Sequence, residues 1–222
     1  MSRTARIVSD VMTHTVVAVG REAPFKEIVR TLEQWKVSAL PVLAGEGRVI
    51  GVVSEADLLP KEEFRDSDPA RLSQLRDLPG IAKAGAVSAG ELMTSPAITV
   101  HANATLAEAA RIMTHRRVKR LPVVDGEGRL EGIVSRADLL KVFLRPDEEI
   151  EDEVRREVVA HLFPAPGQAV EVRVSEGVVT LTGHVRDAVL IPAAARLIRA
   201  VEGVVDFDNQ LTTTHLTAGP PA

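Results

Sequence analysis

Two short segments carry residue types from which chemistry can be built. Gly51-x-x-Ser54-x-x-Asp57 and Gly132-x-x-Ser135-x-x-Asp138 each join an apolar run to a stretch with helical spacing. A serine and an aspartate three residues apart at a strand-to-helix junction have two uses. As structure, the serine is a natural N-cap, and the aspartate completes a capping box at the positive end of the helix. As a ligand site, a helix N-terminus with free N–H groups and a hydroxyl suits a phosphate or a sugar, and a carboxylate can accept from both hydroxyls of a ribose. The local sequence allows both uses, and capping is the simpler. A third segment, His115-Arg116-Arg117-Val118-Lys119-Arg120, sets four cations within five residues directly before an apolar run. Basic residues are favoured near a helix C-terminus. Beside a Ser-Asp junction they can also meet a phosphate through charge-assisted hydrogen bonds. The matching place earlier in the chain reads Trp35-Lys36-Val37-Ser38-Ala39, with a single cation. The two junctions are therefore not expected to be equivalent.

The elements that must position these residues occur twice. Met12-Thr13 returns as Met93-Thr94, Leu40-Pro41-Val42 as Leu121-Pro122-Val123, and Gly45-Glu46-Gly47-Arg48 as Gly126-Glu127-Gly128-Arg129. A constant offset of 81 residues aligns them without a gap, and 21 of 48 positions are identical, so the chain contains an internal repeat. Within a copy, Thr15 to Val19 is a short β-rich run. Pro24 to Trp35 has helical spacing, with Phe25, Ile28, Val29 and Leu32 on one face and Pro24 suited to the first turn. Ala39 to Leu43 and Val49 to Val53 read as a strand pair around a Gly45-Glu46-Gly47 turn, where glycine supplies positive φ. Ser54 then opens a second helix. A unit of about 50 residues buries little core, so two copies packed together are the stable solution. The segment 62–88 between them reads as a partly mobile linker, with Leu72, Leu75 and Leu78 able to form one amphipathic turn.

Composition narrows the chemistry. The 222 residues contain no cysteine, which excludes disulfides, thiolate nucleophiles and zinc sites with sulfur ligands. Five Phe, one Trp and no Tyr argue against a base-stacking surface. The six histidines show no metal-type pairing at i, i+4, and neither a Gly-x-x-x-x-Gly-Lys-Ser loop nor a Gly-x-Ser-x-Gly elbow occurs. The N-terminus lacks the apolar run of a secretory signal, and no stretch approaches the roughly 18 apolar residues of a membrane span. A cytoplasmic protein without a membrane partner is expected. The net charge of −4 is too mild to imply a nucleic-acid partner. It divides into about +3 for residues 1–146 and about −7 for the remainder.

The acidic remainder has its own pattern. Asp147 to Glu157 is strongly acidic, while Ile150, Val154, Val158 and Leu162 recur every four residues, as in an amphipathic helix with a solvated face. Pro164 to Gly167 ends it. Val170 to Val174 alternates as a strand, Ser175-Glu176-Gly177 turns, and Val178 to Thr182 returns. A helix is expected from about Asp187 or Ile191 to Ala200, its start obscured by Pro192. Gly203 stops it, and Val204 to Thr212 is the last strand. The tail 216–222 reads as disordered.

The repeated motifs, together with Val11-Met12-Thr13, resemble a tandem pair of CBS (cystathionine β-synthase) domains over about Val8 to Leu144. Val174-x-x-Gly177-x-Val179-x-Leu181-x-Gly183-x-Val185, Val201-x-Gly203-Val204 and Asn209-x-Leu211 resemble a BON domain. The resemblance implies an α/β (α+β) fold: two β-α-β-β-α repeats at 8–61 and 89–146 packed as a pair, then a small α-β-β-α-β unit at 147–215. It implies a non-enzymatic sensor that needs no cofactor and binds an adenine nucleotide, AMP, ADP or ATP, in the cleft between repeats. Asp57 and Asp138 would hold ribose, with Ser54 and Ser135 near phosphate or ribose. Thr13, Thr15 and Val16, and in the second copy Thr94, Pro96 and Ala97, would flank adenine through backbone and aliphatic groups. Lys119 and Arg120 stand where such pairs place phosphate-binding cations that reach either of two adjacent sites, and Pro122 follows them. A homodimer and an unidentified protein partner are also implied. Two other functions stand beside this one: nucleic-acid binding through Arg116 to Arg120, and cation or phospholipid binding through the BON unit.

Overall fold

The computed structural model describes residues 6–63, 78–164 and 170–213 and divides into two compact units, Arg6–Leu139 and the chain from Leu140 onward. Expectations for residues 64–77, 165–169 and 214–222, including Leu72, Leu75 and the tail, lie outside the described residues.

In the first unit each repeat builds a three-stranded sheet. Strand β1 (Val19–Gly20) runs parallel to β2 (Ala39–Ala44), which is antiparallel to β3 (Arg48–Ser54). Strands β4 (Val100–His101), β5 (Arg120–Val124) and β6 (Leu130–Ser135) repeat the order. The expected strand at Thr15 to Val19 is shorter than its β-rich composition suggested. Only Val19 and Gly20 pair, and Thr15 to Ala18 lie outside any ladder. The first helix is Phe25–Trp35, with Pro24 as its N-cap rather than inside the first turn. Ile28 and Leu32 are buried, but Val29 is 42% exposed, because one residue on from Ile28 the helix has already turned away from the core. Both hairpin turns use positive φ at Gly47 and Gly128. In the second, the Asp125 carboxylate also accepts from the backbone N–H groups of Glu127 and Arg129 and from the Arg129 side chain. These contacts hold its carboxyl well below the usual range, at about 2. Part of the expected linker is ordered: Leu78–Gly85 is a helix, and Ala86 is buried beyond it.

The two cores show how the repeats combine. The first gathers Val19, Ile28, Leu32, Leu40, Val42 and Val53 with Ala86, Ala89 and Leu92, which lead into the second repeat. The second gathers Val100, Ala109, Met113, Leu121, Val123 and Val134 with Val8, which leads into the first. Each leader thus packs on the other repeat's sheet. Thr13 exchanges backbone hydrogen bonds of 2.9 and 3.0 Å with Ile133, and Thr94 does the same with Val52 at 2.9 and 3.1 Å. The repeated Met-Thr and Gly motifs are the two sides of this exchange. A Cβ on Gly51 would lie 2.4 Å from Met93 Sδ, and one on Gly132 would lie 2.6 Å from Met12 Sδ. Only glycine leaves the methionine room.

In the second unit, β7 (Val170–Ser175), β8 (Val178–Val185) and β9 (Asp206–Thr213) form one sheet, antiparallel then parallel. Helical segments Asp147–Glu153, Val154–Val159 and Ala160–Leu162 run on without a break, and Leu190–Arg199 is the last helix. The segment Val154–Val159 has the wide π form. An α-helix of 3.6 residues per turn rotates a four-residue repeat off its face, and a wide turn restores it. That is why Ile150, Val154 and Val158 are all buried. Pro192 falls in the first turn of its helix, where no intrahelical N–H bond is lost. The acidic helix is less solvated than its composition suggested. The Arg145 side chain, 4% exposed, pairs with Glu153 at 2.7 Å and Glu149 at 3.3 Å and donates to the Glu202 carbonyl at 3.1 Å. Asp147 accepts from the N–H groups of Glu176 and Gly177 at 2.7 and 2.9 Å, holding the β7–β8 turn.

Candidate functional site

The leader exchange decides what meets at each Ser-Asp junction. Among the described residues, two cavities of the first unit gather these side chains. The larger, about 950 Å³, is lined by Thr13, Thr15 and Val16 from the first leader together with Arg120, Ser135 and Asp138 from the second repeat. The smaller, about 450 Å³, is lined by Thr94, Pro96 and Ala97 from the second leader together with Ser54 and Asp57 from the first repeat, and by Lys119 and Arg120. Pro122 lines neither. It is buried in the middle of β5, opposite Ile133.

Both junctions form the same local structure. The Asp57 Oδ2 accepts from the Ser54 backbone N–H at 2.8 Å and from its hydroxyl at 2.7 Å. Asp138 Oδ2 accepts from Ser135 in the same way at 2.9 and 2.6 Å. The capping reading is therefore realised, and it orients each carboxylate. The free N–H groups expected at the helix start are partly taken. The Glu55 N–H bonds the Ser38 carbonyl at 3.1 Å, and the Arg136 N–H bonds the Lys119 carbonyl at 3.0 Å. Buried backbone donors need such partners. The same bonds fix Ser38 and Lys119 beside the junctions.

The basic cluster does not form one outward surface. Arg117, Lys119 and Arg120 line the smaller cavity, and Arg116 lines neither. Arg120 stands between the two cavities, its Nη2 donating to Ser38 Oγ at 2.6 Å. The larger cavity also takes Lys36, Ser38 and Ala39 and the carboxylates Glu33, Glu55 and Glu62, none of them foreseen as site residues. The repeat offset held the missing signal: 36 to 39 is the first-copy equivalent of 117 to 120. Lys83, from the segment read as linker, forms an ion pair with Asp57. No spacing in the sequence pointed to it. Among the described residues no three His, Asp or Glu gather to hold a metal ion. On the acidic helix, Glu151 and Asp152 pair with Arg155, and Glu149 and Glu153 with Arg145. Among the described residues no helix is long and apolar enough to cross a membrane.

The family model of the CBS domain matches residues 8–61 and 89–145, and that of the BON domain matches 146–214. The uncharacterized protein MJ1426 of Methanocaldococcus jannaschii is 29% identical over 155 residues, 62% of this chain and 91% of that protein. The chloroplastic CBS domain-containing protein CBSX2 of Arabidopsis thaliana is 30% identical over 139 residues, and the match spans 57% of this chain and only 58% of that protein. The crystal structure of CBSX2 in complex with AMP superposes with a TM-score of 0.55 at 30% identity, covering 62% of this chain and 96% of that one. The chain belongs to the CBS domain family, as a tandem CBS pair followed by a BON domain.

Proposed function

We propose that this chain is a non-enzymatic regulatory protein that binds an adenine nucleotide in the larger cavity. One observation carries the reading: the leader exchange brings Thr13, Thr15 and Val16 of one repeat against Ser135, Asp138 and Arg120 of the other, around about 950 Å³. That volume suits a small-molecule site. Thr15 and Val16 supply backbone and aliphatic groups for a base, Asp138 a carboxylate for a diol, and Arg120 a guanidinium for phosphate. The AMP complex of CBSX2, a relative by sequence and fold, supports the same class of ligand.

Glu33, Glu55, Glu62 and Asp138 line this cavity together with Lys36 and Arg120. Val29, Trp35 and Leu59 are exposed apolar side chains among those lining the cavity, which supports a second copy as partner. The BON unit then serves as the interaction module.

Calorimetric titration of the full chain with AMP, ADP and ATP tests this reading. Asp138→Asn is expected to weaken AMP by about tenfold, the worth of one hydrogen bond to a charged group. Folded protein that ignores all three nucleotides at millimolar concentration refutes it. Sedimentation of the same sample tests the dimer.

A further inference from the structure

In the sheet of the second unit β8 is the middle strand, so β7 and β9 are its edges. The turn after β7 fixes which backbone groups of that strand face outward. Glu176 and Gly177 have φ of 50° and 74°, as in a two-residue type I′ hairpin loop. The residues flanking the loop, Ser175 and Val178, are then a hydrogen-bonded pair. Bonding alternates along an antiparallel strand, so Ser175, Arg173 and Glu171 turn their N–H and C=O groups to β8. Val170, Val172 and Val174 turn theirs away from it. Among the described residues these outward groups have no hydrogen-bond partner. A row of this kind is a template for another strand.

The side chains decide which strand fits. Val172 is buried on the covered face of the sheet, and alternation puts Glu171 and Arg173 together on the opposite face, where both are exposed. From Val170 to Val174 the strand reads Val-Glu-Val-Arg-Val. Laid antiparallel on a second copy about Val172, this segment is its own complement. Val172 meets Val172, and Val170 meets Val174, each pair exchanging two hydrogen bonds through the outward groups. Glu171 of one copy meets Arg173 of the other, twice, at non-hydrogen-bonded positions, where opposed side chains come closest. Moving the centre to 171 or 173 keeps the backbone bonding but sets Glu171 against Glu171 or Arg173 against Arg173. Two like charges on β7 would repel a second copy in all three registers. One of each sign selects the register about Val172. The other edge, β9, carries Asp206 and Asp208 and no cation, so it offers no such match.

We propose that β7 is a self-association surface. Two copies of the chain join their second units edge to edge, antiparallel about Val172, into one six-stranded sheet with Glu171–Arg173 pairs across the joint. A sheet of that size is ordinary. The proposal names a partner for the interaction module described above and rests on that part of the proposed function, not on the nucleotide.

Sedimentation of the full chain over a concentration series reaching about 1 mM tests it. The wild type is expected to associate. Glu171→Arg and Arg173→Glu, each checked for folding by thermal melting, turn two attractive pairs into two repulsive ones and should each weaken that step about tenfold or more. The Glu171→Arg/Arg173→Glu double variant should restore it, and so should an equimolar mixture of the two single variants. Association through the first unit is common to every sample and drops out of the comparison.

Cross-linking reads the register. The chain has no cysteine, so Glu171→Cys and Arg173→Cys introduce the only thiols. Oxidation should join the two variants when they are mixed, since the facing Cα atoms would lie about 4.5 Å apart, within disulfide range, and one Glu171–Arg173 pair is kept. Either variant alone should cross-link several-fold more slowly, because its thiols would sit on a diagonal of about 7–8 Å. A wild type that sediments like the single reversals overturns the proposal, and so does a mixture that cross-links no faster than either variant alone. If AMP still binds when these tests fail, the proposal falls alone. If they succeed in a chain that ignores nucleotide, only the nucleotide reading falls.

Discussion

Gly132→Ala tests the contact on which the larger cavity depends. A methyl group at this position would lie 2.6 Å from Met12 Sδ, 3.0 Å from the Thr13 carbonyl oxygen and 3.2 Å from Met12 Cγ. The thioether can swing aside. The carbonyl cannot, because Thr13 is bonded in both directions to Ile133, the next residue along. Relief must come from lifting the first leader off β6. Overpacking of this kind costs about 1–3 kcal/mol. Replacing glycine also restricts the unfolded chain, which returns about 0.4–1 kcal/mol. The expected net loss is about 1–2 kcal/mol. Met12→Ala in the same chain removes the sulfur contact but not the carbonyl contact, so the double variant should recover part of the loss and be non-additive. Urea unfolding followed by fluorescence of Trp35, which belongs to this unit, measures both. Because Thr13, Thr15 and Val16 ride on the leader, AMP affinity should fall several-fold in Gly132→Ala. A variant as stable as the wild type, with unchanged AMP affinity, would refute the reasoning.

Three further outcomes are expected. Arg145→Met should destabilise the second unit by about 2 kcal/mol, since it removes the charged hydrogen bonds of a side chain only 4% exposed to Glu149, Glu153 and the Glu202 carbonyl; denaturant melting checks this. Asp147→Ala should cost about 1 kcal/mol by freeing the Glu176 and Gly177 N–H groups of the β7–β8 turn, visible as faster amide exchange there. Asp125 should titrate at about 2 in a carboxyl NMR experiment, lowered first by the backbone N–H of Arg129 and then by its side chain. A depressed folded pKa stabilises above the ordinary value of 3.8 and loses that contribution as pH falls toward about 2. The stability gap between wild type and Asp125→Asn should therefore close across that window, and a gap that widens there would contradict the assignment.

Much of the candidate site was legible one residue at a time. The Ser-Asp spacing implied a capping box, and the box forms at both junctions. The glycine turns, the two β-α-β-β-α units and the α-β-β-α-β unit follow from local periodicity, which depends on neighbours in sequence. Val29 shares the apolar spacing of Ile28 and Leu32, but the helix turns it outward. The acidic run 147–157 is a solvated face at Glu148, Glu149 and Asp152, whereas Arg145 draws Glu153, 14% exposed, into an ion pair. Pro122, two residues after Arg120, sits in the middle of β5 among the buried strand residues.

The sequence by itself determined that there are two copies of one unit and which residue types each copy brings to its junction. It determined their inequality too, since the four cations of Arg116 to Arg120 have Lys36 as their single basic counterpart in the first copy. Tertiary structure alone decided the partners. Thr13 meets Asp138 rather than Asp57 because each leader crosses to the other sheet, where a glycine leaves room for its methionine. Lys83 meets Asp57 across 26 residues because the core holds the end of its helix. Such pairings depend on which surfaces bury each other, and a periodic pattern along one chain carries no record of that choice.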